Sequence, residues 1–186
     1  MRLFVALEIP AAVRENLAAL LKKLRELSSQ PRWVRPENLH VTLKFIGEVA
    51  EAKVDGIRGA LSTVHADSQL ELRFHGLGFF PNENRPTVLW TGLDTSTNLQ
   101  TLTGDIDRVL ATQGIASEKR AFVPHLTLAR FDPPRLHEKL RAAIRKNGQR
   151  DFGSFQPREF HLIESRLKPS GAEYTTLHSF RLGAES

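Results

Sequence analysis

The sequence predicts an α+β fold of two pseudo-symmetric lobes, each with an antiparallel sheet and helices packed on its outer face, around a central cleft. A His-x-Thr-Leu segment occurs at His40–Leu43 and again at His125–Leu128, 85 positions further along the chain. Around each copy, hydrophobic periodicity indicates the same order of strand, helix, motif strand, helix and strand. We therefore expect a single domain over 1–186, whose duplicated lobes correspond roughly to 1–80 and 87–186, with strands exchanged between them.

The first half begins with alternating apolar residues at 2–9, which predict a strand. Pro10 follows, and proline suits the start of a helix because its missing N–H is not needed there. Apolar residues then recur every three or four positions to about residue 28, which predicts a helix with one buried face. That face comprises Val13, Leu17, Leu20, Leu21, Leu24 and Leu27.

The rest of the chain continues this pattern. Gly47 ends the first motif strand, and the periodicity then predicts a helix at about 52–65 and a strand around 70–74. A shift of 85 positions places Val5 on Trp90 and the apolar face of the first helix on further apolar residues. After the second motif, the pattern predicts a helix at about 134–147 and strands near 159–166 and 174–182.

The two motifs supply the candidate reactive groups. Successive side chains of a strand point to opposite faces, so His40 and Thr42 lie side by side on one face, as do His125 and Thr127. The same alternation places the apolar residues of the first copy on the other face: Leu39, Val41, Leu43 and Phe45. Composition alone predicts roughly 0.06 such segments in this chain, so two copies are not a chance occurrence.

Composition narrows the choice of partners and compartment. The formal charge of +5 and a pI of about 9.9 favour a polyanionic partner, of which nucleic acid is the commonest. There is no cysteine, which excludes disulfides and thiolate metal sites. No apolar stretch approaches the length needed to span a bilayer, and the first residues do not resemble a signal peptide. We expect a cytoplasmic protein.

Two imidazoles that face each other across a cleft suit an in-line displacement at phosphorus. One removes a proton from the incoming oxygen while the other protonates the leaving oxygen. The hydroxyls of Thr42 and Thr127 can donate to the non-bridging oxygens, whose charge grows in the transition state. Such a site needs no metal, and Asp105 and Asp107 do not share a helix face. Lys44 could contact a phosphate, but we expect it to be a surface charge.

The sequence resembles the two-histidine phosphoesterase superfamily and, within it, the RNA 2′,3′-cyclic phosphodiesterases, long called 2′-5′ RNA ligases. The resemblance covers essentially the whole chain. It is carried by Arg2–Leu7, Arg35–Gly47 and Pro124–Arg130, and by Ser165-Arg166-Leu167 with Gly171 and Tyr174.

This resemblance implies a bilobal α+β enzyme that uses neither metal nor nucleotide cofactor. It implies opening of a terminal 2′,3′-cyclic phosphate on RNA to a 2′-phosphomonoester, with reversible 2′-5′ ligation in some members. It also implies that His40 is the proton donor, that His125 is the proton acceptor, and that Arg130 contacts the phosphate. Strict alternation would place Arg130 on the face opposite His125 and Thr127, so the strand must twist or end there.

Two other functions fit the same residues. A non-catalytic module that binds RNA ends would explain the basic charge, and would give tight, salt-sensitive binding without a product. The same chemistry on a small cyclic phosphate would show no stimulation by RNA length. Binding alone does not require two proton-transfer groups, so we favour the enzyme, and we expect it to be a monomer.

Overall fold

The structure, a computed structural model, describes residues 1–65, 70–95 and 98–183. Its strands are β1 (Arg2–Glu8), β2 (Arg32–Trp33), β3 (His40–Glu48), β4 (Leu72–Phe80), β5 (Val88–Thr95), β6 (His125–Arg130), β7 (Asp151–Phe155), β8 (Glu159–Lys168) and β9 (Gly171–Arg181). Its helices are α1 (Ala11–Leu27), α2 (Val54–Leu61), α3 (Asn98–Ala111) and α4 (Glu138–Lys146).

The strands form two sheets in which neighbours run antiparallel. The first sheet has the order β3-β1-β8-β9, and the second has the order β2-β6-β5-β4-β7. Helix α3 contacts β3 in the first sheet, and α1 contacts β7 in the second. The predicted α+β class is therefore confirmed. Each sheet combines strands from both sequence halves, and each motif strand belongs to a different sheet.

One hydrophobic core joins both sheets and the described helices. The predicted face of α1 is buried except for Leu27, which lies in the last turn and is 40% exposed. A second, smaller apolar cluster lies on the opposite face of the first sheet, because its β1 members alternate with the core residues of that strand. This cluster comprises Phe4, Ala6, Ile163 and Tyr174.

The repeat relates the motif strands β3 and β6 by a shift of 85 positions, but their partner strands β1 and β5 by a shift of 84. Thr42 opposes Ala6 on β1, whereas Thr127 opposes Trp90 on β5. Ala6 is thus the counterpart of Trp90, and the predicted match of Val5 with Trp90 is wrong by one residue. Because Trp90 opposes Thr127, its indole lies on the same face of the second sheet as Thr127, away from the core.

Several elements differ from the predictions. Helix α4 begins at Glu138 instead of 134, after Pro133 and Pro134, and His137 caps it by accepting a hydrogen bond from the Lys139 N–H at 3.2 Å. Helix α2 ends earlier, at Leu61. Strand β7 was not predicted, because Gly153 interrupts the alternation with a φ of +114°.

Lys44 is buried rather than exposed, so the prediction of a surface charge is wrong. Its Nζ donates to Asp107 Oδ1 at 2.6 Å and to the Ala116 carbonyl at 2.8 Å. The Glu118 N–H also donates to Asp107 Oδ1, at 3.0 Å. Burial alone would raise the pKa of Asp107, but the hydrogen bonds from Lys44 and Glu118 outweigh it and lower that pKa. The ion pair ties β3 to α3 and to the segment that leads into β6.

We predict that Asp107→Ala lowers the free energy of unfolding by about 3 kcal/mol at pH 7, because it leaves the buried Lys44 ammonium without its counter-ion. Urea unfolding monitored by circular dichroism measures the change. Asp105→Ala is the matched control, since it removes only an exposed ion pair with Arg108, and we expect a loss below about 1 kcal/mol. Equal losses in the two variants would contradict this account.

Candidate active site

The motif side chains project from the face of each sheet that is opposite the core. On β3, Val41 is buried, whereas His40 and Thr42 are partly exposed on the other side. On β6, His125 and Thr127 have the same partial exposure on either side of a buried leucine. We call the face that carries these His and Thr side chains the motif face of each sheet.

Each motif strand contains one extra residue just after its threonine. On β3, Thr42 opposes Ala6 and Lys44 opposes Val5, so Leu43 has no partner of its own. Such a β-bulge places two consecutive residues on the same side and reverses the alternation beyond it. Leu43 and Lys44 are accordingly both buried.

The matching bulge on β6 brings Arg130 to the motif face. Leu128 is the extra residue, because Trp90 opposes Thr127 and Leu89 opposes Ala129. Leu128 and Ala129 are both buried, and Arg130 is exposed on the same side as Thr127. Strict alternation would have placed Arg130 on the face opposite Thr127, but the bulge places both residues on the same face.

On β3 the same reversal affects Phe45, which is the counterpart of Arg130 in the repeat. Alternation predicted that Phe45 shares a face with Leu43, and this is wrong. Its side chain is 55% exposed, and its ring centroid lies 6.0 Å from that of Phe4. An aromatic ring thus occupies in one sheet the position that a guanidinium occupies in the other.

The two imidazoles are held in the same manner. His40 Nδ1 lies 2.7 Å from the Asn38 carbonyl oxygen, and His125 Nδ1 lies 2.7 Å from the Val123 carbonyl oxygen. A carbonyl only accepts, so each Nδ1 carries the proton that it donates, and each Nε2 is the atom left for chemistry. His40 Nε2 also lies 2.9 Å from Thr42 Oγ1.

Aromatic rings contact both imidazoles, and among the described residues His40 has two such neighbours whereas His125 has one. The His40 ring lies 4.8 Å from Phe4 and 5.2 Å from Tyr174, with Tyr174 edge-on. The His125 ring meets Phe80 edge-on at 5.0 Å. Burial lowers the pKa of His40 below the ordinary histidine value, and the hydrogen bond to Asn38 offsets this only in part.

Tyr174 connects the two motif faces electrostatically. Burial raises the pKa of its hydroxyl, while the guanidinium charges of Arg130 and Arg2 act in the opposite direction. Arg130 belongs to the second sheet, so its charge acts across the two sheets on the tyrosine that packs on His40.

Sequence reasoning missed the groups that orient the imidazoles. The two carbonyls are each two residues before a histidine, a spacing that a search for side-chain motifs does not detect. Trp33 packs against the core, and its Nε1 donates to the Ser28 carbonyl at 3.0 Å.

Within the described part of the chain, no three His, Asp or Glu side chains are grouped so that they could hold a metal ion. Among the same residues, no helix is long and apolar enough to cross a membrane.

Comparison with known proteins gives consistent matches along the chain. Residues 12–169 match the model of the 2′-5′ RNA ligase superfamily. A protein of Archaeoglobus fulgidus named RNA 2′,3′-cyclic phosphodiesterase is 36% identical over 180 residues, covering 97% of this chain and 99% of the relative. A protein of the same name from Methanothermobacter thermautotrophicus is 33% identical over 182 residues, covering 97% and 98%.

Solved structures agree in fold. The Thermus thermophilus protein TT0787 superposes with a TM-score of 0.83 at 28% identity, over 100% of both chains. Escherichia coli LigT complexed with 3′-AMP superposes with a TM-score of 0.77 at 26% identity, over 97% of both chains.

The packing around His40 gives a prediction about its titration. We expect its imidazole pKa, measured by NMR, to lie below 6.5 in the free protein, because Phe4 and Tyr174 exclude water from the charged form. Tyr174→Ala should raise that pKa by admitting water. Tyr174→Phe keeps the ring and should leave it unchanged. A wild-type His40 that titrates at or above 6.5 would contradict the prediction.

Proposed function

The chain belongs to the 2′-5′ RNA ligase superfamily, and on that premise we propose that it is an RNA 2′,3′-cyclic phosphodiesterase. It hydrolyses a terminal 2′,3′-cyclic phosphate on RNA to a 2′-phosphomonoester. The proposal rests on one observation above all: two imidazoles, each held at Nδ1 by a backbone carbonyl, present Nε2 on the motif faces beside a threonine hydroxyl. This arrangement suits proton transfer on two sides of one phosphorus atom.

His125 Nε2 takes a proton from the attacking water, whose oxygen forms a new bond to phosphorus. The bond between phosphorus and the 3′ oxygen breaks, and His40 Nε2 protonates that departing oxygen. The product carries a 2′-phosphate and a free 3′ hydroxyl. When the 5′ hydroxyl of a second RNA takes the place of water, the same steps join its oxygen to phosphorus, release the 3′ oxygen and form a 2′-5′ linkage. Their reversal cleaves that linkage, so we propose reversible ligation as well.

The remaining polar groups stabilise the charge that develops on the non-bridging oxygens. Thr42 and Thr127 each lie two residues after the histidine of their motif strand, and their hydroxyls donate to these oxygens. Arg130 adds a permanent positive charge on the motif face of the second sheet. Arginine can also donate two parallel hydrogen bonds to a phosphate.

The environment of His40 fits the role of acid. Its lowered pKa makes the protonated form a stronger proton donor, although that form is less populated in the free protein. A bound phosphate anion favours the charged imidazole, so substrate binding itself promotes protonation. His125 has fewer aromatic neighbours and serves as the base.

We also propose that the protein acts as a cytoplasmic monomer without metal or nucleotide cofactor. Two imidazoles supply both proton transfers, and the threonine and arginine groups supply the electrostatic stabilisation that a metal ion provides in other phosphoesterases.

We predict that His40→Ala and His125→Ala each lower the turnover of a short RNA ending in a 2′,3′-cyclic phosphate by about 10²- to 10⁴-fold. The assay contains EDTA and no nucleotide, and the position of the product phosphate is determined. His65→Ala is the control, since this exposed imidazole lies outside the motif strands. Circular dichroism confirms that the variants fold.

Well-folded wild-type protein that binds this RNA without converting it would contradict the enzyme proposal. A 3′-phosphate product would contradict the assignment of the leaving oxygen.

A further inference from the structure

We propose that Arg32, together with Arg130, forms a second anion site, which binds the internucleotide phosphate on the 5′ side of the terminal nucleotide, with Arg130 bridging this phosphate and the reacting one. The inference rests on the proposed function and deepens it, because it names the feature by which the protein would distinguish an RNA chain from a single nucleoside cyclic phosphate.

The strand register places the two arginines side by side. Arg32 on β2 lies directly opposite Arg130 on β6, and Trp33 lies opposite Ala129. Directly opposed residues of an antiparallel pair project to the same face. Ala129 is buried and Trp33 packs against the core, so Arg32 and Arg130 share the motif face of the second sheet.

In the described part of the chain, no acidic side chain balances the charge of this pair. Both arginines are exposed, and within the described residues neither has a carboxylate within 4.0 Å or a side-chain hydrogen bond. Arg73, on β4, instead pairs with Asp94 and Asp151. Like charges directly opposite each other on neighbouring strands destabilise the sheet. An anion bound between the two guanidiniums would remove that repulsion, and phosphate matches the planar arginine fork.

The position of Arg32 favours the next phosphate along the RNA rather than the reacting one. Because of the bulge, Thr127 and Arg130 oppose Trp90 and Val88, which are two residues apart on β5, so Arg130 lies about 7 Å beyond Thr127 at the usual rise of a strand. Arg32 lies on the neighbouring edge strand β2, about 4.8 Å further from the centre of the sheet. An RNA chain whose terminal phosphate sits between the imidazoles would pass Arg130 and then meet Arg32.

Phosphate contacts of this kind hold a nucleic acid in register but do not read its sequence. The site would therefore increase affinity for any RNA of two or more nucleotides, and this part of the affinity would weaken as salt increases.

The test compares Arg32→Gln with the wild type on two substrates: a nucleoside 2′,3′-cyclic phosphate and a dinucleotide that ends in the same group. We expect kcat/KM for the dinucleotide to fall about three- to tenfold and kcat/KM for the mononucleotide to stay unchanged. The slope of log KM for the dinucleotide against log salt should fall by about 0.7.

Arg58→Gln is the matched control, because Arg58 is an exposed arginine on α2, outside both sheets. Arg32→Lys should restore part of the dinucleotide preference. The melting temperature of ligand-free Arg32→Gln should equal or exceed that of the wild type, since the substitution removes a like-charge contact.

Equal losses on both substrates would overturn the proposal, since Arg32 would then act on the reacting phosphate or on the fold. No loss on either substrate would overturn it too. If the wild type converts neither substrate, the proposed function fails, and direct titration with a dinucleotide ending in a 2′-phosphate decides the role of Arg32. Equal affinity of wild type and Arg32→Gln in that titration would overturn the second anion site.

Discussion

Each motif strand has an extra, unpaired residue just after its threonine, and the site depends on the position of that residue. Because the β-bulges follow Thr42 and Thr127, the histidines and threonines keep regular alternation while the side chains beyond them change faces. The change directs Lys44 into a buried ion pair and Arg130 out to the motif face. Without the bulges, strict alternation would place the Lys44 ammonium in solvent and the Arg130 guanidinium in the core.

The two halves of the repeat are similar in backbone but differ in the surroundings of their histidines. Both imidazoles are oriented by a carbonyl two residues upstream. Only His40 lies between two aromatic rings of its own sheet, which excludes water and lowers its pKa. At the position where one motif strand carries Arg130, the other carries Phe45, so the repeat offers one cationic and one aromatic surface to a substrate.

The sequence predicted the parts of the molecule that follow from simple periodicity. The apolar face of α1 and the shared face of His40 and Thr42 needed only the helical and two-residue periods. The bulges could not be predicted, since an extra residue in a strand changes the register without leaving a compositional signal. The exposure of Phe45 and the burial of Lys44 follow from the bulge and were missed with it. Strand β7 was missed because Gly153 breaks its alternation.

The central claim is that the two motif strands act on one phosphorus atom. A crystal structure of the protein with an RNA dinucleotide ending in a 2′-phosphate tests it most directly. The account predicts that Nε2 of His40 and Nε2 of His125 both lie within about 3 Å of oxygens of that terminal phosphate, with Arg130 also in contact. A terminal phosphate that contacts only one of the two imidazoles would contradict the claim.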